Sequence, residues 1–315
     1  MDGAINLSAL AKYFSDEDAA RDLLEKMRWG ASGAVCPKCG GDSPYKLTPK
    51  ATSKKPGRKG LYKCRACRKQ FTVTVGTIFE DSHIPISKWL LGIHLICASK
   101  KGMSAHQLHR MLGITYKAAW FMAHRLRYAM SQEPFASKLS GIVEVDEAYI
   151  GGKRKGGKGR IPAGGDKKTA IIALVERKGR ARAFPLQRVD SANLHAAIVK
   201  HVDPRTSELM TDDHTLLGGD RVAGMRRRSV KHGQGEYVRG EVHSNTVEGF
   251  FSLLKRGIVG SFHHVSTGHL HRYCDEFAFR YSARGVSDAE RSKLLVKGAE
   301  GKRLTYKQPA GSKPS

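Results

Sequence analysis

Apolar positions in this chain change their spacing several times, and each change marks a segment. Up to residue 30, Leu23, Leu24, Met27 and Trp29 recur at helical spacing behind Ser15-Asp16-Glu17-Asp18. This predicts a helix capped by Ser15 with acids in its first turn. Residues 31–76 show little periodicity and are rich in Gly, Lys and Cys, so something other than an apolar core must hold them together. Residues 77–135 return to helical spacing. Pro85 and Ser87 start a helix with Trp89, Leu90, Ile93 and Cys97 on one face. Ser104 caps a second helix, running to Leu112, with Ala105, Leu108, Met111 and Leu112 inward. Gly113 suits a left-handed turn, Ile114 plugs between the helices, and Thr115 caps a third helix with Ala118, Phe121 and Met122 inward.

From 140 to 285 the pattern alternates between strand and helix. Gly141–Ile150, Thr169–Glu176 and Ala181–Val189 read as strands, the last two joined by a turn at 177–180. Ser191–Val202 reads as a helix with Leu194, Ile198 and Val199 inward, and Ser207–Thr211 as a strand ending at Asp212-Asp213. A helix follows from His243 to Arg256, burying Val247, Phe250, Phe251 and Leu254. Three antiparallel strands, a helix and a further strand ending in Asp match the element order of an RNase H-like domain. The expected architecture is therefore α/β and multidomain: an N-terminal helical segment (1–30), a ribbon (31–76), a helical region (77–135), a mixed five-stranded sheet with helices (140–285) and a basic tail (286–315).

Composition adds a partner. The formal net charge is +26 over 315 residues, an imbalance that favours a polyanion and salt-dependent binding. The expected partner is a nucleic acid. No apolar run approaches the roughly 20 residues that span a bilayer, and the start of the sequence has no basic, then apolar, leader pattern. The expectation is a cytoplasmic protein with no membrane partner.

Two motifs carry metal chemistry. Cys36-Pro-Lys-Cys39 and Cys64-Arg-Ala-Cys67 are knuckles whose spacing lets four thiolates reach one tetrahedral Zn²⁺, which is closed and hence structural. Cys97 and Cys274 stand apart as core cysteines. The second motif is acidic. Glu144, Asp146 and Glu147 lie in an otherwise apolar strand, with Glu144 and Asp146 on one side of it. In the expected topology Asp212 becomes a neighbour of Asp146, while Asn245, Glu248 and Lys255 share an edge of the helix over 243–256. Two Mg²⁺ (or Mn²⁺) ions suit such a site, Asp146 bridging both, Asp212 holding one, and Asn245 or Glu248 completing the set. Lys255 would meet a phosphate, with Arg256 beside it on DNA. Lys153, Arg154 and Lys155 open a very basic loop after Gly151-Gly152. On the third helix Lys117, Trp120, His124 and Arg127 recur at i, i+3, i+7 and i+10, which predicts an outward stripe able to meet DNA. A plain helical hairpin would leave that stripe in solvent.

These residues resemble a known family. Val143–Lys153, Thr211-Asp212, His243–Arg256, Val265–Leu270 and Glu276–Tyr281 are similar to the ISXO-type domain of bacterial insertion-sequence transposases, relatives of the Merlin transposases. Arg28-Trp29 before the first knuckle and Gly76–Phe79 with Pro85 extend the likeness over about residues 10–285. Ser282 stands where the family usually has Asn. The resemblance implies a recombinase that cuts DNA at terminal inverted repeats and transfers the 3′-hydroxyl into target DNA, with Asn in some members and Glu in others as the third ligand. It implies a bacterial, nucleoid-associated protein acting on double-stranded DNA as a dimer or larger assembly. The alternatives are a DNA-binding regulator with an inert nuclease fold, and an RNase H-like nuclease without strand transfer.

Overall fold

The computed structural model describes residues 15–48, 59–131, 137–151, 168–212, 217–230, 238–301 and 303–305. They fall into two compact units: one built from residues 1–132 together with 285–315, the other from 133–284.

In the first unit, helix α1 (Glu17–Trp29) is capped by Asp16, whose carboxylate accepts from the N–H groups of Asp18 and Ala19. The cap therefore lies one residue beyond the expected Ser15. Strands β1 (Pro44–Leu47), β2 (Leu61–Cys64) and β3 (Gln70–Phe71) form an antiparallel ribbon. Its small core is aromatic: Trp29 of α1 packs edge-on to Tyr62 at 5.3 Å, and Tyr62 stacks on Phe71 at 5.6 Å. Helix α2 (Ile86–Ala98) has no cap from its own sequence; the N–H groups of Ile86 and Ser87 donate to the Glu17 carboxylate at 2.7 and 3.1 Å. Helices α3 (Ala105–Leu112) and α4 (Tyr116–Met130) begin as the sequence predicts, with Ser104 accepting from Gln107 and Thr115 from Ala118. Gly113 turns between them at φ +57°, a left-handed conformation that costs glycine least. Met111, expected inward, is exposed.

A further helix occupies part of the expected basic tail. Asp288–Gly298, labelled α8 below, starts with a capping box in which Ser287 and Glu290 satisfy each other's backbone N–H. It packs on α1, α2 and α4 and buries Leu295 and Val296. Buried Arg125 ties the same unit together, donating to the carbonyls of Ile78, Glu80 and Leu304.

The second unit is a six-stranded mixed sheet. Its strands are β4 (Leu139–Ile150), β5 (Thr169–Glu176), β6 (Ala181–Leu186), β7 (Val202–Asp212), β8 (Arg221–Val222) and β9 (Met225–Val230), in the order β6-β5-β4-β7-β9-β8. β4 to β6 are antiparallel, and β7 and β9 run parallel to β4. The expected five strands thus become six. β9 hides in the sequence because its apolar Met225 and Val230 bracket three consecutive arginines. Gly141, at φ +72°, lies where the β4–β7 register shifts.

One sheet face buries Val143, Val145, Ile172 and Leu209 with Leu194 and Ile198 of α5 (Ser191–His201). Val199 of α5 is exposed, contrary to expectation. The other face buries Ala148, Ala173 and Val175 with Val247, Phe250, Phe251 and Leu254 of α6 (Asn245–Gly257) and Phe277 of α7 (Thr267–Ser282). Each such large apolar side chain contributes about 1.5–3 kcal/mol. That burial presses α6 onto β4 and β5 and fixes which of its edges meets the acids.

Candidate metal centres and active site

The ribbon gathers all four thiols. Cys36, Cys39, Cys64 and Cys67 place their sulfurs within 4.8 Å of one another. Cys36 lies 3.7 Å from Cys67, and Cys39 lies 3.6 Å from Cys64. The edge of a sulfur tetrahedron around zinc with bonds near 2.3 Å is about 3.8 Å, so the donor set fits that ion. Two similar turns build it: Gly40 N–H donates to Cys36 O at 2.9 Å, and Arg68 N–H to Cys64 O at 3.1 Å. The Cys67 N–H directed at Cys64, opposed by burial, helps hold that thiol down to about 7, while Cys39, despite the Gly41 N–H that lowers it, is pushed up to about 12 by the neighbouring thiols.

The acids assemble on the sheet face under α6. β4 and β7 pair in parallel up to Val145 opposite Thr211, so the next residue on each strand brings Asp146 beside Asp212. Glu248, one turn into α6, is close enough to act on Asp146. Burial pushes the Asp146 carboxyl up to about 7; the Glu147 N–H opposes this at 2.7 Å, and the charges of Asp212, Glu147 and Glu248 add to the rise. A carboxylate held at this cost beside other carboxylates suits a divalent cation. Among the described residues only the four cysteines bring three or more ligand atoms within 4.8 Å, so the acid group is wider than the thiol group. Glu248 accepts a hydrogen bond from Ser244 Oγ at 3.1 Å. Asn245, the first residue of α6, and Glu248 are both exposed. Lys255 and Arg256 are exposed near the far end of α6, with the Lys255 ammonium 5.9 Å from the Phe251 ring.

Sequence reasoning placed Glu144 on the same side as Asp146 but gave it no task. It is fully buried, and its carboxylate accepts from Thr246 N–H (2.7 Å), Val247 N–H (3.0 Å), Thr246 Oγ1 (2.8 Å) and Arg177 Nε (2.6 Å). Arg227 of β9 was also missed. It donates to Thr211 Oγ1, Asp212 O and Gly219 O at 2.8–3.1 Å, gripping the strand end that carries Asp212. In the sequence Arg177 belongs to a turn and Arg227 to a charge run, and both look solvated.

The expected outward stripe on α4 is only partly present. Lys117 is exposed and Trp120 partly so, but His124 is 0% and Arg127 3% exposed. From Met122 to Arg127 every residue is buried, so past Trp120 the helix has no solvent face for such a stripe. Exposed Arg110 and Tyr116 lie near its start, with Tyr116 against His106 at 4.3 Å. Lys153, Arg154 and Lys155 lie outside the described residues, as does Asp213. No described helix is long and apolar enough to cross a membrane.

A zinc-ribbon domain followed by a mixed-sheet domain that sets acids side by side on two adjacent parallel strands is the class of protein this fold and site define. Residues 15–70 match the transposase zinc-ribbon domain, and residues 138–282 match the ISXO2-like transposase domain. The chain belongs to that transposase family. It is similar to an uncharacterised protein in transposable element ISH50 of Halobacterium salinarum, 26% identical over 259 residues, covering 78% of this chain and 84% of the relative. A pre-cleavage Mos1 transpososome aligns over 66% of this chain and 78% of its own at 12% identity, with a TM-score of 0.23, too loose a superposition to bear on the fold.

Proposed function

We propose that this chain is the transposase of an insertion sequence, cutting DNA at the terminal inverted repeats and joining the freed 3′-hydroxyl to target DNA. The observation that carries the reading is that Asp146 and Asp212 lie side by side on the sheet face under α6, with Glu248 of that helix near enough to act on Asp146. The strand order supports it: three antiparallel strands with two parallel ones added beside the first is the RNase H-like arrangement.

Two Mg²⁺ or Mn²⁺ ions bound there would stabilise the attacking and leaving oxygens of an in-line displacement at phosphorus. Asp146, central to the acid group, and Asp212 beside it would hold them. Glu248, held by Ser244 and close to Asp146, is the better third ligand than Asn245. Lys255 and Arg256 bring positive charge to the phosphates, and Lys117 and Trp120 at the start of α4 meet the repeat as a helix-turn-helix would. One active site per chain and two element ends call for at least two chains on the DNA.

The test is a strand-transfer assay with a labelled terminal repeat, a plasmid target and Mg²⁺ or Mn²⁺. Asp146→Ala and Asp212→Ala are expected to abolish joined product while DNA binding survives. Glu248→Ala is expected to follow them, and Asn245→Ala to retain activity. Binding without cutting in wild type under either metal would leave a DNA-binding regulator. Cutting without joining from a pre-cut end would leave a nuclease.

A further inference from the structure

We infer that Glu144 and Arg177 form a positioning lock that sets the distance between Asp146 and Glu248. This rests on the metal-site reading above. Glu144 lies two residues before Asp146 on the same side of β4, and its carboxylate does the capping that Ser244, the residue at the N-cap, does not do. It satisfies the N–H groups of Thr246 and Val247 and takes the Thr246 hydroxyl as well. Ser244 Oγ is thereby left to hold Glu248. Arg177 fixes the other side of the carboxylate and also donates to Glu241 O at 2.7 Å and His243 O at 3.0 Å, the residues that lead into α6. One buried carboxylate thus joins the strand of the first acid to the helix of the third. A helix capped by its own serine would gain similar stability but would not be tied to Asp146.

Groups that orient metal ligands from behind typically cost 10–100-fold in metal affinity or activity when lost. The experiment measures Mn²⁺ binding by calorimetry on the full chain, thermal melting, repeat binding and single-turnover nicking. The set is wild type, Asp146→Ala, Glu144→Gln, Arg177→Lys and Thr246→Val. Glu144→Gln keeps the shape and one accepting oxygen. It is expected to bind Mn²⁺ at the acid site at least tenfold more weakly and to nick about 10–100-fold more slowly, with repeat binding unchanged. Thr246→Val removes a single bond to Glu144 and is expected to lose about threefold even if Glu144→Gln fails to fold. Arg177→Lys keeps the charge and loses the fork, and is expected to fall between them. Mn²⁺ binding and nicking at wild-type levels in folded Glu144→Gln, or losses that merely follow melting temperature across the set, would overturn the lock. Wild type and Asp146→Ala binding Mn²⁺ equally would instead overturn the metal-site reading, and the lock with it.

Discussion

Asp146 is held in a place that does not suit an isolated charge. Its carboxyl is pushed up to about 7 by burial and by neighbouring acids. An acid whose folded pKa is raised destabilises the fold above that pKa, and the penalty fades as pH falls toward the unfolded value near 3.9. Asp146→Asn is therefore expected to stabilise the metal-free protein at pH 8, by on the order of 2–4 kcal/mol. The advantage should shrink steadily as pH is lowered to 5.5, and vanish when Mg²⁺ saturates the wild type. Melting curves at several pH values, with and without Mg²⁺, check this; an equal or lower melting temperature for the variant at pH 8 without metal contradicts it. Arg227 is the opposite case, a buried charge with its donors used. Arg227→Ala leaves the Thr211 hydroxyl and the Asp212 and Gly219 carbonyls without it. The expected loss is about 2–4 kcal/mol by denaturant titration, with nicking reduced in the protein that remains folded.

At the scale of elements, what the sequence made legible and what it hid divide along one physical line. Local rules were readable: Ser104, Gly113 and Thr115 terminate helices through their own backbone neighbours, and the alternation in β4 put Glu144 and Asp146 on one side. Partners distant in sequence were not. α2 is capped by Glu17, α6 by Glu144, and β9 can bury an arginine because the guanidinium of Arg227 finds acceptors on another strand. The buried half of α4 follows the same line, since exposure of His124 and Arg127 depends on what encloses the helix and not on their spacing. The ribbon was legible because its spacing is its chemistry. With a core of little more than Trp29, Tyr62 and Phe71 beside the thiols, it is expected to need a bound ion to fold. Chelation, or Cys64→Ser, is expected to red-shift Trp29 fluorescence and expose the ribbon amides to exchange, while the strands of the six-stranded sheet keep their protection. A ribbon that stays protected in excess chelator would show that zinc is dispensable to it.

For the molecule as a whole, segments far apart in sequence belong together in a way the linear order conceals. The described residues from 285 to 305 join the unit that holds α1 to α4, not the sheet unit that precedes them in sequence. α8 buries Leu295 and Val296, Leu304 is buried beyond it, and Arg291 donates to Cys97 O at 2.7 Å. Gly301 N–H donates to Gly76 O, and Arg28 pairs with Glu300 at 3.0 Å. Removing this segment forfeits roughly 5 kcal/mol or more of apolar burial, a large part of the 5–15 kcal/mol that holds a typical domain. It also leaves Arg125 without the Leu304 carbonyl. A chain ending at residue 284 is therefore expected to lose amide protection by at least tenfold over residues 17–29 and 86–98 while β4, β5 and β7 exchange as before. It should also bind the terminal repeat more weakly, because the +26 charge of the intact chain recognises nothing in particular unless α1 to α4 hold their shape. Hydrogen exchange on the two chains decides it. Equal protection over 17–29 and 86–98 would mean that the first unit stands without α8, and that α8 has some other task.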